Sequence, residues 1–199
     1  MNTTRRIHLN PQSKGNIGKS FAYQVAPDPF DPYVIALSSF MLDDMFKFRV
    51  NIAVLLNITP DHLDRYDYKF ENYAASKFRV TQNQTASDYF IYCEDDPETM
   101  KMIEGRKMEA QTLPFSIKKK LTTGAYLDQD NTIIINTLKE HFQMSINDLA
   151  LQGKHNIYNS MASGIVAKVL ELRNDTIRES MGGFRGIEHR LEFVDKISS

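Results

Sequence analysis

Three side chains that can bind a cation or transfer a proton lie within four consecutive positions of the chain. Asp61, His62 and Asp64 belong to the segment NITPDHLDRY at 57–66, which directly follows an apolar run at 52–56. Ligands of open parallel sheets bind beyond the carboxyl ends of strands, and carboxylates suit a divalent cation or a phosphate-bound magnesium. Taken by itself, such a segment is more often a helix N-cap with a hydrogen-bonded histidine than a metal site. A metal hydrolase built on these three residues is a further alternative, although no other histidine cluster accompanies them.

A second candidate site lies at 152–160, where the sequence QGKHNIYNS places Gly153 before a helical pattern. Backbone amides at the start of a helix are unpaired and lie at the positive end of its dipole, which suits an anion or a nucleotide. Asn156 and Asn159 are three residues apart, so they share one face and can bind one ligand. Simple capping by His155 or Asn156 is the alternative.

Two further segments contain residue types that bind phosphate. The sequence GIEHRLE at 186–192 offers Arg190, whose guanidinium suits a phosphate or an adenine face; a surface ion pair is the alternative. The Gly-Lys-Ser tripeptide at 18–20 is similar to the end of a phosphate-binding loop. That loop needs a glycine where this chain has Ser13, and Pro11 interrupts the strand that should precede it. We therefore predict no phosphate loop here.

The elements that must position these residues alternate between strand and helix patterns. Short apolar runs predict strands buried in a parallel sheet, at 33–37, 52–56 and 89–93. Helical spacing of apolar residues predicts helices at 38–46, 70–81, from 156 and at 175–181. Short strands joined by polar turns predict an antiparallel β insert over 113–149, at 114–117, 124–127 and 132–136. The predicted fold class is α/β, a mostly parallel sheet flanked by helices with a small antiparallel β insert.

Composition and charge exclude several classes of function. The 199 residues carry 24 basic and 25 acidic side chains, and a net charge of -1 leaves no basic field for nucleic acid. No apolar run reaches the length of about 18 residues that a transmembrane span needs. The polar N-terminus does not resemble a signal peptide. Cys93 is the only cysteine, which fits a reducing cytoplasm and a small side chain buried on a strand.

Six short strings along the chain occur in an order that is specific to one family. They are GNIG at 15–18, LSSF at 37–40, NITPDHLDRY at 57–66, SKFR at 76–79, GKHN at 153–156 with Asn159, and GIEHR at 186–190. In this order they resemble the Mur ligases of peptidoglycan synthesis. The resemblance is strongest to the members that join D-glutamate to UDP-N-acetylmuramoyl-L-alanine. It implies the family's central ATP-binding domain over 15–191 and a cytoplasmic enzyme.

The resemblance implies an acyl-phosphate mechanism that uses ATP and Mg²⁺. ATP phosphorylates the carboxylate of UDP-N-acetylmuramoyl-L-alanine, and the amine of D-glutamate then attacks and releases phosphate. The residues at the matching positions take roles by resemblance: Lys77 and His62 are catalytic and metal-binding, Asn16 and Ser38 lie near the muramoyl substrate, and Asn156, Asn159 and Arg190 form the ATP pocket. Lys77 binds metal only if it is carbamylated, because an unmodified ammonium repels a cation.

The chain also departs from the family pattern. Ala36 stands where the family has a magnesium-binding glutamate, and Met41 stands where glutamine is usual. We expect a loose arm at 1–14 in place of the phosphate loop, and at 192–199 the start of a linker to an absent C-terminal domain. The chain by itself is then expected to bind ATP and Mg²⁺ weakly, to be inactive, and to self-associate through an incomplete sheet. A non-catalytic binding or interaction module that reuses the fold is the alternative, since both replacements are apolar.

Overall fold

The computed structural model describes residues 33–138 and 140–184. The elements of this part of the chain are α1 (Ser39–Asp43), β1 (Ile52–Leu55), α2 (Phe70–Phe78), β2 (Tyr89–Cys93), α3 (Pro97–Ile103), β3 (Gln111–Ser116), β4 (Gly124–Leu127), β5 (Thr132–Asn136), β6 (His141–Ser145), α4 (Lys154–Val169) and α5 (Asn174–Gly183). Short 3₁₀ turns lie at Leu63–Arg65, Arg79–Thr81 and Ile146–Asp148. Several predicted features lie outside the described residues: the arm at 1–14, Asn16, the tripeptide at 18–20, Arg190 and the linker at 192–199.

The six strands form one sheet in the order β1-β2-β3-β4-β5-β6. The pairs from β1 to β4 are parallel, and β4-β5-β6 is an antiparallel meander. This confirms the predicted α/β class with an antiparallel segment. One detail of that prediction is wrong, because the strand around Pro114 pairs in parallel with β2 and β4. The antiparallel strands thus extend the main sheet at one end.

Helices cover both faces of the sheet because its strands are apolar on both sides. In β2, Ile91 belongs to a core cluster under α4, and Phe90 belongs to a second cluster under α2 and α3. Helix α4 packs on β2, β3, β4 and β5. Buried residues on alternate faces of a strand are the signature of a layered α/β sheet. The ligand edge of such a sheet is the edge where the parallel strands end.

Most of the predicted elements are present, with shifted ends. The strand predicted at 52–56 is β1, the one at 89–93 is β2, and the helix predicted at 70–81 is α2 followed by a 3₁₀ turn. Helix α4 begins two residues before the predicted start at 156. No helix in the described ranges is both long and apolar enough to cross a bilayer.

The apolar run at 33–37 does not form a strand, so that prediction is wrong. The described sheet contains no strand from this segment, and Val34 is 66% exposed. A run of apolar residues becomes a strand only when a neighbouring strand supplies hydrogen-bond partners for its backbone. Apolar character alone is therefore not enough to predict a strand in this segment.

Candidate functional site

His62 lies in the loop that follows β1, at the ligand edge of the sheet. Its backbone is left-handed, with φ 49° and ψ 35°, an uncommon conformation for a residue other than glycine. Its amide donates to Asp61 Oδ1 at 2.9 Å, and its Nε2 lies 3.4 Å from Asp61 Oδ2. The imidazole is 57% exposed and meets the Phe40 ring edge-on at 5.2 Å between centroids. The side chain is therefore oriented and accessible to a ligand.

Ser38 is the N-cap of α1, and its Oγ accepts a hydrogen bond from the Met41 amide at 3.3 Å. Ser38 therefore has a structural role as a helix cap. Helix α1 is tied to α2 by the Ser76 hydroxyl, which donates to the Ser39 carbonyl at 2.9 Å. Lys77 is the next residue of α2.

Lys77 is half-buried on α2 and contacts one ring of a packed group that we call the aromatic cluster, Phe40, Tyr66, Phe70 and Tyr73. The Lys77 ammonium lies 5.1 Å from the Tyr73 ring centroid. His62 meets the same cluster at Phe40. A series of ring contacts through the cluster therefore links His62 to Lys77, and Ser38 caps the helix that carries Phe40.

The ends of β1 and β2 are joined by carboxylates that the sequence analysis did not single out. Asp96 Oδ2 accepts from the Ile58 amide at 3.3 Å and from the Thr99 amide at 2.9 Å. Asp96 also caps α3, where Pro97 takes the first helical position. An Asp-Asp-Pro sequence one residue after a strand was the available signal, because a carboxylate followed by proline is typical of a capped helix start.

The other carboxylate, Asp95, joins the strand ends to α4. Its Oδ1 accepts from the Ser116 hydroxyl at 2.7 Å, and its Oδ2 accepts from the Ile117 amide and the Tyr158 hydroxyl, each at 2.8 Å. Burial acts to raise the pKa of Asp95, but these hydrogen bonds outweigh it and the pKa is lowered. Burial and the Asp95 carboxylate raise the pKa of Tyr158. Both groups therefore keep the protonation states that make the bond between them.

The start of α4 lies at the same edge, since Tyr158 in its second turn reaches the end of β2. Gly153 is the N-cap, with φ 102° and no side-chain cap. The Asn156 amide group donates to the Gln152 carbonyl at 2.9 Å, and Asn159 is exposed. The predicted site residues in the described ranges thus form two groups, one around the aromatic cluster and one at the start of α4. Asp95 and Asp96 connect them.

The described residues do not present a ready-made metal site. Among them, no three His, Cys, Asp or Glu side chains come together in a way that could hold a metal ion. His62 offers one imidazole nitrogen and Lys77 an amine, whereas Mg²⁺ prefers oxygen ligands. The described residues therefore do not fit a bound Mg²⁺ by themselves, and the hydrolase alternative based on Asp61, His62 and Asp64 finds no support in this geometry.

Cys93, the last residue of β2, takes no part in the site. It is buried and free, and burial raises the pKa of its thiol to about 11. A thiol in that state is a poor nucleophile. This confirms the interpretation of Cys93 as a small apolar side chain on a strand.

Known proteins similar to this chain agree on one family. Residues 21–167 match the Mur ligase middle domain family. The chain is 53% identical over 192 residues to the UDP-N-acetylmuramoylalanine--D-glutamate ligase of Christiangramia forsetii, covering 96% of this chain and 43% of that protein. It is 47% identical over 189 residues to the protein of the same name from Bacteroides fragilis, covering 95% and 42%. The chain therefore spans less than half the length of these curated relatives.

Solved structures give the same fold at low identity. MurF from Acinetobacter baumannii superposes with a TM-score of 0.57 at 19% identity, over 74% of this chain and 32% of that one. MurF ligase from Thermotoga maritima in complex with ADP gives 0.54 at 18% identity, over 75% and 34%. With the family match over most of the chain, the conclusion is direct: this chain belongs to the Mur ligase family and contains its middle domain.

Proposed function

We propose that this chain supplies the middle domain of a cytoplasmic ligase that joins D-glutamate to UDP-N-acetylmuramoyl-L-alanine during synthesis of peptidoglycan precursors. The observation that carries the proposal is 53% identity over 192 residues to a curated ligase of that name. This chain spans 43% of that relative, and the ligase name applies to the relative as a whole. That this chain takes part in the same reaction, with the same substrates and nucleotide, is what we propose.

The reaction needs two steps that a site at the strand ends can support. In the first step, the γ-phosphoryl group of ATP passes to an oxygen of the substrate carboxylate, which gives an acyl phosphate and ADP. In the second step, the amine of D-glutamate attacks the carbonyl carbon. The new C–N bond forms, the C–O bond to phosphate breaks, and the amine loses a proton. In this proposal Ser38, His62 and Lys77 face the substrate side of the site.

Nucleotide binding is assigned to the start of α4. The unpaired amides after Gly153 attract phosphate, and Asn156 and Asn159 share a helix face. The solved relative that is named as a complex with ADP has the same fold, which supports a nucleotide in this domain. Arg190 belongs to the same proposed nucleotide site, and Asn16 belongs to the proposed muramoyl side with Ser38; both lie outside the described residues.

Isothermal titration of the purified chain with Mg-ATP tests this assignment. We expect weak but saturable binding that the double variant Asn156→Ala, Asn159→Ala abolishes. Asn147→Ala is the matched control, because Asn147 is an exposed asparagine on the 3₁₀ turn before α4. Binding that survives the double variant would contradict the assignment.

The chain alone should not catalyse ligation. The Ala36 side chain has no carboxylate, and loss of one group that stabilises a transition state electrostatically typically costs about 2.7–4 kcal/mol. A phosphate-release assay with ATP, UDP-N-acetylmuramoyl-L-alanine and D-glutamate is expected to give no turnover above background. Measurable turnover that depends on both substrates would refute this expectation.

The alternative function is a non-catalytic interaction module. Its motivation is the pair Ala36 and Met41, where apolar residues replace polar ones. The Mg-ATP titration separates the two proposals: a module that only reuses the fold binds no nucleotide, whereas a ligase domain binds it through the start of α4.

A further inference from the structure

Tyr158 connects the second turn of α4 to the sheet. Its ring lies 6.1 Å from the Phe115 ring between centroids, and its hydroxyl donates to Asp95. Successive residues of a helix are about 100° apart around its axis. The half-buried Tyr158 therefore points toward the sheet, while its neighbour Asn159 is exposed. Fixing the direction of Tyr158 also fixes the direction of Asn159.

Besides apolar packing of Ile157 and Tyr158 on the core, the start of α4 has few directed contacts among the described residues. Its N-cap, Gly153, provides no side-chain cap, and the Asn156 side chain bonds only locally, to the Gln152 carbonyl. Between described residues, the Tyr158 hydroxyl makes the one side-chain hydrogen bond that ties the first two turns of α4 to the sheet. A charge-assisted hydrogen bond is directional, so it adds a fixed orientation to the apolar packing of the helix.

Asp95 is itself held firmly. It accepts from Ser116 and Ile117 at the end of β3, and the Ser116 hydroxyl accepts in turn from the amides of Lys118 and Lys119 at 3.0 and 3.1 Å. The carboxylate is therefore a fixed point between two parallel strands. Whatever it holds takes its position from the sheet.

We propose that Asp95, acting through Tyr158, is a positioning residue that sets the orientation of Asn156 and Asn159 toward the nucleotide. The inference rests on the proposed function, because it assumes that these asparagines bind ATP. Asp95 and Tyr158 do not touch the nucleotide themselves. Their contribution is to hold the binding face of α4 in one orientation before the ligand arrives.

Tyr158→Phe is the decisive variant, because it removes the hydroxyl and keeps the ring against Phe115. Tyr89→Phe is the matched control, since Tyr89 lies at the opposite end of β2 and its hydroxyl makes no hydrogen bond to another described residue. We expect the Mg-ATP dissociation constant of the Tyr158→Phe chain to rise about tenfold, which is the typical effect of losing a hydrogen bond to a charged group. We also expect amide hydrogen exchange across 150–162, measured by mass spectrometry, to become about tenfold faster.

The pattern of results decides the inference. Faster exchange confined to the start of α4, with weaker nucleotide binding and a melting temperature close to that of Tyr89→Phe, supports it. Exchange that stays unchanged, or that rises across the whole chain, overturns it. Faster local exchange with unchanged affinity also overturns it, because the bond would then be merely structural. Asp95→Asn should reproduce the effect of Tyr158→Phe on affinity, and combining the two should add little.

Failure of the proposed function is distinguishable from failure of this inference. If the unmodified chain binds no Mg-ATP, the nucleotide assignment of α4 is contradicted. Hydrogen exchange then still reports on the bond between Tyr158 and Asp95. Faster exchange in Tyr158→Phe that is confined to 150–162 supports the positioning of α4 by this bond, and unchanged exchange overturns it.

Discussion

Lys168, near the end of α4, has a side chain that is only 2% exposed. Its ammonium lies 2.6 Å from Glu140 Oε2 and donates to Asn174 Oδ1 at 2.8 Å. The Glu140 side chain is 42% exposed, so water can solvate its charge but cannot reach that of Lys168. Losing the carboxylate leaves a buried charge without its counter-ion, whereas losing the lysine leaves a carboxylate that water can reach.

We therefore predict that Glu140→Gln destabilises the chain more than Lys168→Met does. The expected losses in the free energy of unfolding are about 1–3 kcal/mol for Glu140→Gln and about 1 kcal/mol or less for Lys168→Met, the former reduced by solvent screening of Glu140. Urea denaturation measures both. Glu109→Gln, which removes the partner of an exposed lysine, is the control. Equal losses in the first two variants would show that the pair is not asymmetric.

Candidate site residues could be singled out from spacing only where a pattern was local. His62 follows a strand, and Asn156 and Asn159 follow a glycine, so spacing marked them as candidates. Tyr158 was treated as one more residue of the helical segment, because its partner Asp95 is 63 positions away. A contact over that distance in the chain depends on which strands are neighbours, and periodicity does not contain that information.

At the scale of elements, Gly124 determines whether β4 can begin beside β3. Its φ is 98°, and a Cβ added to it would overlap the carbonyl oxygen of Pro114. Both the left-handed backbone and the close approach to β3 require glycine here. The parallel pairing of β3 with β4 therefore depends on this one residue.

Gly124→Ala is expected to lower the free energy of unfolding by at least about 2 kcal/mol, because it adds backbone strain and a steric clash. Urea denaturation again provides the measurement. Gly183→Ala is the control, since no atom of the described ranges lies within 4 Å of an added Cβ at the end of α5, and its effect should stay within about 1 kcal/mol. A mild effect at Gly124 would mean that β3 and β4 can separate at little cost.

The elements that sequence patterns missed are those whose apolar residues were few or interrupted. Strand β6 alternates exposed and buried residues over five positions, which is too short for periodicity to separate it from a turn. Helix α3 has only seven residues, of which Thr99 alone is fully buried, and it is too short for a helical period to be recognised. The direction of β3 was mispredicted because parallel and antiparallel pairing of a short strand depend on its neighbours.

At the scale of the whole molecule, acid stability depends on a carboxylate far from the site. Asp88 is fully buried and paired with Arg49, whose Nε lies 2.9 Å from Asp88 Oδ2. Burial acts to raise the pKa of Asp88, but hydrogen bonds from Thr85 and Arg49 outweigh it and the pKa is lowered. A lowered pKa in the folded state adds stability above the unfolded value of about 3.9, and this stability is lost as pH falls below it.

We therefore predict that Asp88→Asn costs stability at about pH 7 and that the difference from the unmodified chain shrinks by about pH 3. Urea denaturation at both pH values tests this. Asp130→Asn, which removes an exposed carboxylate on the turn between β4 and β5, is the control. A difference for Asp88→Asn that is the same at both pH values would show that the carboxylate charge contributes nothing.

Self-association is also a property of the whole molecule. Helix α4 packs on β2 to β5 and does not extend over β1 to the same degree. Val54 in β1 and Leu56 just after it are each 39% exposed. Within the described sheet β1 pairs only with β2. Exposed apolar residues on an outer strand favour pairing between molecules.

We predict concentration-dependent association in light scattering and its reduction by Val54→Lys. Gln143→Lys places the same charge on β6 at the other end of the sheet and should leave association unchanged. A monodisperse monomer at all concentrations would contradict the prediction.

The parallel and antiparallel parts of the sheet meet at β3 and β4, where only two residue pairs are in register, Phe115 with Ala125 and Ser116 with Tyr126. With so few paired residues, the parallel part and the antiparallel part of the sheet could unfold separately. Helix α4 prevents this, because its Met161 and Ile165 lie in one core cluster with Phe115 and Ile133. The helix makes both halves share a single cooperative transition. In a scanning calorimeter the chain should give one endotherm, with a van't Hoff enthalpy close to the calorimetric one.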